Sequence, residues 1–118
     1  MPVVTKEELL NLIQEARAVE ANDRIFDYVT TLAEATRTHP MVELGVSPRG
    51  ALALCRMAKA HAFLAGRDFV VPEDVAAVFP DVCAHRLILS AKARMMEEKA
   101  ENILAEILKS VDMPVLKA

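Results

Sequence analysis

Leu44-Gly45-Val46-Ser47-Pro48-Arg49-Gly50-Ala51-Leu52-Ala53-Leu54 passes from loop to helix within a few residues, and the whole fold is read outward from it. Ser47 is a good N-cap, and Pro48 suits the first helical position, where a missing N–H costs nothing. The helix so opened continues through Cys55, Ala58, Ala62 and Ala65 to a C′ glycine at Gly66. Its many alanines suit a helix packed closely on more than one side, so it is read as the central helix of the domain. The segment before it, His39 to Val46, reads as a loop in which Gly45 is free to adopt positive φ.

Upstream, Asn22 is the expected N-cap of a helix with Ile25, Tyr28, Val29, Leu32 and Thr36 on one face. That helix should end near Arg37 or Thr38, because Pro40 disfavours the α conformation at His39. Earlier still, Thr5-Lys6-Glu7-Glu8 has the capping-box pattern and predicts an amphipathic helix from Lys6 to Arg17, followed by a connection over Ala18 to Ala21. Downstream, Val71-Pro72-Glu73-Asp74 opens a helix with two acids beside the positive end of its dipole, and Pro80 should interrupt it. Asp81 to His85 reads as a further turn, Leu87-Ile88-Leu89 as a short apolar run, and Ala91 to Val111 as one continuous helix ended before Pro114. The fold class expected is all-α, a small bundle of about five helices. Residues 1–20 form a linker and first helix, and residues 21–118 form the helical domain proper.

Composition agrees with that class and excludes several functions. Hydrophobic residues make up 53% of the 118 positions but aromatic ones only 4%, so the core is built from aliphatic side chains that favour helices over a β-sandwich. The net charge of −3 argues against nucleic-acid binding, which calls for a basic stripe. No uncharged run exceeds that from Ala60 to Gly66, far short of the roughly 20 residues that span a bilayer, so no membrane insertion is expected. The N-terminus lacks the pattern of a secretory signal, which makes a cytoplasmic address the expectation, and Cys55 and Cys83 read as reduced, apolar side chains.

Chemistry-bearing motifs are few. His39, His61, His85, Cys55 and Cys83 have no metal-ligand spacing, since Cys83 and His85 point to different helix faces, so no metal site is expected. There is no nucleophile elbow and no phosphate-binding glycine loop, because Gly45, Gly50 and Gly66 stand far apart. Arg49 is the exception. A cation in the first turn of a helix is disfavoured by the dipole by about 0.3–1 kcal/mol, so something should offset it. A phosphate bound by Arg49 and the free N–H groups around Ser47, Pro48 and Gly50 would do so; so would a salt bridge to Glu43.

Four segments together carry a family resemblance: Ala35-Thr36-Arg37-x-His39-Pro40, the Leu44 to Leu54 stretch, Ala65-Gly66-Arg67-Asp68-Phe69-Val70-Val71-Pro72-Glu73-Asp74-Val75, and His85-Arg86-Leu87. In this order they closely resemble the C-terminal lid of MoxR-family AAA+ ATPases, over roughly residues 5 to 114. The resemblance implies that Arg49 is the sensor-2 arginine, acting in catalysis with an α/β ATPase core that carries Walker A and Walker B. It places Ser47, Pro48, Arg49 and Gly50 at the nucleotide, although the family more often has alanine where this chain has Gly50. ATP and Mg²⁺ are then cofactors of a longer parent protein, bound no more than weakly by these residues alone. Walker A, Walker B, sensor 1 and the arginine finger have no counterpart here, so the chain is expected to be no enzyme in isolation and to be monomeric.

The partners implied are the ATPase core of the same chain, neighbouring subunits of a homo-hexamer, and von Willebrand A-domain proteins. The parent's role would be chaperone-like, in the maturation of protein complexes or metal-cofactor insertion. The alternative is a stand-alone helical protein-interaction module with no nucleotide role.

Overall fold

A computed structural model describes residues 4–115, and among them six α-helices and a two-stranded sheet follow one another in the order that the caps predict. Helix α1 is Lys6–Arg17, α2 Asp23–Thr38, α3 Pro48–Leu64, α4 Pro72–Cys83, α5 Ala91–Met95 and α6 Ala100–Ser110. Strand β1 is Val42–Leu44 and β2 is Ile88–Leu89, and a 3-10 turn spans Ala84–Arg86. Thr5, Asn22 and Ser47 cap α1, α2 and α3 by accepting the N–H of Glu8, Ile25 and Gly50. Gly66, at φ 82°, closes α3 as a Schellman motif, with its N–H on the Phe63 carbonyl and that of Arg67 on the Ala62 carbonyl.

Three expectations are corrected. First, Pro80 does not interrupt α4, which runs through it to Cys83. The proline forfeits one backbone hydrogen bond, and the burial of Val78, Phe79, Val82 and Cys83 on either side of it holds the turn together. Second, Ala91 to Val111 is two helices, because Glu97 adopts φ 56°. The N–H of Glu98 bonds the Ala93 carbonyl at 2.9 Å, a second Schellman closure made without glycine. Met95 and Met96 on the α5 side are exposed, whereas Ile103, Leu104 and Ile107 of α6 are buried, so the chain changes direction there to deliver α6 to the core. Third, the expected loop contains β1, which pairs antiparallel with β2 (Val42 with Leu89, Leu44 with Ile88).

The core is a single, largely aliphatic cluster around α3. Leu54, Ala58 and Ala62 of that helix are fully buried against Leu32 of α2, Val75 and Phe79 of α4, and Leu104 of α6. Small side chains on α3 let its neighbours approach closely, as expected of a central helix. Helix α1 buries none of its residues, and Leu9, Leu10, Leu12 and Ile13 stay exposed. Just beyond it Val19 enters the core, and Glu20 hydrogen-bonds Asp68 and Val70.

Candidate functional site

The first turn of α3 is set in place from α2. Thr36, buried in the last turn of α2, donates its hydroxyl to the Ala33 carbonyl and accepts the N–H of Val46 at 2.9 Å. Arg37 then donates its Nε to the Val46 carbonyl, also at 2.9 Å. Both backbone groups of Val46 are thus held by consecutive residues of one helix, immediately before the Ser47 cap. Gly45 is required by this docking rather than by a positive φ, which among the described glycines Gly66 alone has. A Cβ at residue 45 would fall 2.6 Å from the Arg37 nitrogen and 2.7 Å from its Cα, inside any tolerable contact.

Within the turn, the predicted site residues divide by role. Ser47 is exposed, and its hydroxyl is committed to the Gly50 N–H at 3.1 Å. The Ala51 N–H is on the Ser47 carbonyl, and Pro48 has no N–H to offer. Gly50 is buried, where a Cβ would meet Val46 Cγ1 at 2.7 Å and Arg86 Cδ at 3.3 Å. The backbone N–H groups left for an anion are therefore fewer than the sequence suggests, that of Arg49 among them. The Arg49 side chain is exposed and makes no hydrogen bond or ion pair among the described residues, so the salt bridge to Glu43 is not formed.

The other polar cluster lies at the opposite end of α3. Asp74, fully buried at the start of α4, accepts from both Arg67 terminal nitrogens at 2.7 Å, from His61 Nδ1 at 2.7 Å and from the Val71 N–H at 2.8 Å. Burial alone would raise its pKa, but these donors outweigh it and hold the carboxyl below its ordinary value. This network joins the glycine stop of α3 to the proline start of α4, and it leaves His61 serving structure. His39 accepts the Met41 N–H and reaches Glu106, while His85 is exposed. No group of three His, Cys, Asp or Glu able to hold a metal forms among the described residues. Cys83 is buried, which pushes its thiol up to about 11, and burial also raises that of Cys55. Among the described residues no helix is long and apolar enough to cross a membrane.

The roles of Thr36, Arg37 and Asp74 escape a sequence reading because they join residues across turns whose path is not known in advance. The available signal was the proximity of Arg67 and Asp74, which flank a short extended segment with opposite charges.

Comparison with known proteins assigns the fold to a family. The AAA lid domain family matches residues 34–107. Chaperone MoxR1 of Mycobacterium tuberculosis is 32% identical over 98% of this chain and 33% of its own length, and protein MoxR of Methylorubrum extorquens is 37% identical over 80% and 30%. The uncharacterized protein YeaC of Bacillus subtilis is 40% identical over 99% of this chain and 37% of its own length. The crystal structure of a candidate ATPase from Cytophaga hutchinsonii superposes with a TM-score of 0.88 at 31% identity, covering 93% of this chain and 36% of that one. The chain spans about a third of the length of these relatives. With its helix order, its capped α3 and its Gly66 and Asp74 junction all in place, the chain belongs to the AAA lid domain family and is a lid of the MoxR type.

Proposed function

We propose that this domain closes over ATP bound to an α/β ATPase core and that Arg49 acts as the sensor-2 arginine on the nucleotide phosphates. The observation that carries the reading is the state of Arg49: exposed, on the first turn of the central helix, and without an acidic partner among the described residues. A cation left at the positive end of a helix dipole has its cost offset when a phosphate lies against it. The side chain and N–H of Arg49 fit a phosphate oxygen, while Ser47, Pro48 and Gly50 fix the turn that presents them. Bound ATP with Mg²⁺ would supply the phosphoryl group to be hydrolysed, and this chain's part is to orient the phosphates and neutralise their charge. A homo-hexameric, cytoplasmic parent with a chaperone-like role in complex maturation or metal-cofactor insertion, working with von Willebrand A-domain partners, extends the same reading.

Arg49→Ala in the full-length parent tests it. Loss of a charge-assisted hydrogen bond, about 1.5–3 kcal/mol, predicts a roughly ten- to hundredfold loss in nucleotide affinity or turnover. The melting temperature of the domain should stay the same or rise slightly, since an unfavourable cation leaves the first turn. Unchanged turnover would remove Arg49 from the reaction.

A further inference from the structure

Arg49 is not alone at this end of α3. Arg37, at the close of α2, and Arg86, at the close of the 3-10 turn, both line a surface cleft of about 530 Å³ together with Gly45, Val46, Ser47 and Pro48. Each is anchored through Nε, Arg37 to the Val46 carbonyl at 2.9 Å and Arg86 to the Val82 carbonyl at 3.1 Å. Anchoring at Nε fixes the plane of a guanidinium and leaves its two terminal nitrogens for a ligand. Neither residue forms an ion pair among the described residues, in contrast to Arg67, whose terminal nitrogens are both spent on Asp74. Gly50 completes the arrangement. Arg86 Cδ lies 3.3 Å from where a Cβ of residue 50 would be, so the bare glycine lets the Arg86 side chain pass against the first turn of α3, at the residue that follows Arg49.

Preset, unneutralised guanidinium groups repel one another, and an oxyanion taken between them removes that cost. Building on the sensor-2 reading of Arg49, we propose that Arg37 and Arg86 form a cleft that binds the nucleotide's phosphate chain, so that the lid meets ATP with three arginines. A phosphate chain is favoured over a protein carboxylate because it offers oxygens at several successive positions, as a cleft lined by two arginines and running to Pro48, the residue before Arg49, requires. A residue larger than Gly50 would displace Arg86 or Val46.

The test uses the full-length protein and fluorescent mant-ATP and mant-AMP, with Arg37→Gln, Arg86→Gln and Arg86→Lys variants checked by thermal melting. The expected result is that each glutamine variant weakens mant-ATP at least threefold and mant-AMP less, with Arg86→Lys intermediate because it keeps the charge and loses the fork. Equal weakening of both nucleotides, or wild-type affinity for mant-ATP in both glutamine variants, overturns the cleft. So does a lowered melting temperature with unchanged ATP affinity, which makes the arginines structural, or loss of subunit assembly with unchanged ATP affinity, which assigns them to an acidic protein surface. The two readings fail separately. If Arg49→Ala weakens ATP while the glutamine variants do not, the cleft fails and sensor 2 stands; the reverse pattern leaves the cleft standing and removes Arg49.

Discussion

Val46 has both backbone groups in the grip of α2, and the geometry leaves no slack. The Thr36 hydroxyl takes its N–H, the Arg37 Nε bonds its carbonyl, and Gly45 lies directly against the α2 backbone. This contact fixes where α3 begins and hence where Arg49 stands. Gly45→Ala should therefore destabilise the domain by about 1–3 kcal/mol, the usual range for overpacking, because the atoms in the way are backbone and cannot rotate aside. A thermal melt of the variant should fall by several degrees, and an unchanged melt would mean that the approach of Gly45 to Arg37 is not close in solution. The need for glycine at 45 was legible in the sequence, but its reason was not. A loop glycine suggests positive φ by default, whereas close approach shows only once two distant segments are laid together.

At the scale of elements, the junction of α3 and α4 depends on one buried carboxylate. Asp74 is fully buried and satisfies four donors, so Asp74→Asn, which keeps the shape and loses the charge, should cost about 1–3 kcal/mol. The same group sets an acid limit. Its folded pKa is held below the ordinary carboxylate value, so its stabilisation is complete above that value and is lost as pH falls through the lower one. Chemical denaturation of the wild type should thus show stability falling from about pH 5 towards pH 2–3, with a shallower slope over this window in Asp74→Asn. Equal slopes would mean that another carboxylate governs acid unfolding. Elements with chemical end-markers were read correctly from sequence: the caps at Thr5, Asn22 and Ser47, the proline at Pro72 and the glycine at Gly66 are local signals. The split at Glu97 and the β1–β2 pair were not, since a left-handed glutamate has no local signature and a two-residue strand exists only through its partner.

At the scale of the whole molecule, the arginines proposed to meet phosphate gather at the start of α3. Arg49 was singled out by its conflict with the helix dipole, a feature local enough to read from sequence, whereas Arg37 and Arg86 sit 49 positions apart in the chain and meet only in the fold. Of the apolar side chains left open on α1, Leu9, Leu12 and Ile13 were legible as one face of an amphipathic helix, but which surface they face was not. On the proposed reading, the cations at the start of α3 supply part of a nucleotide site and no more. Among the described residues there is no glycine-rich phosphate loop and no cluster of acids to hold Mg²⁺, so binding must rest on arginines that work in water, where each contact is screened. The 118-residue chain by itself should consequently bind Mg-ATP no more tightly than the millimolar range and should not hydrolyse it. Isothermal titration with Mg-ATP and a phosphate-release assay measure the two directly, and circular dichroism of the same sample establishes that the helices are present. Micromolar binding by these residues alone would place a complete nucleotide site within the bundle, and neither Arg49 nor the cleft beside it, as they stand, accounts for that affinity.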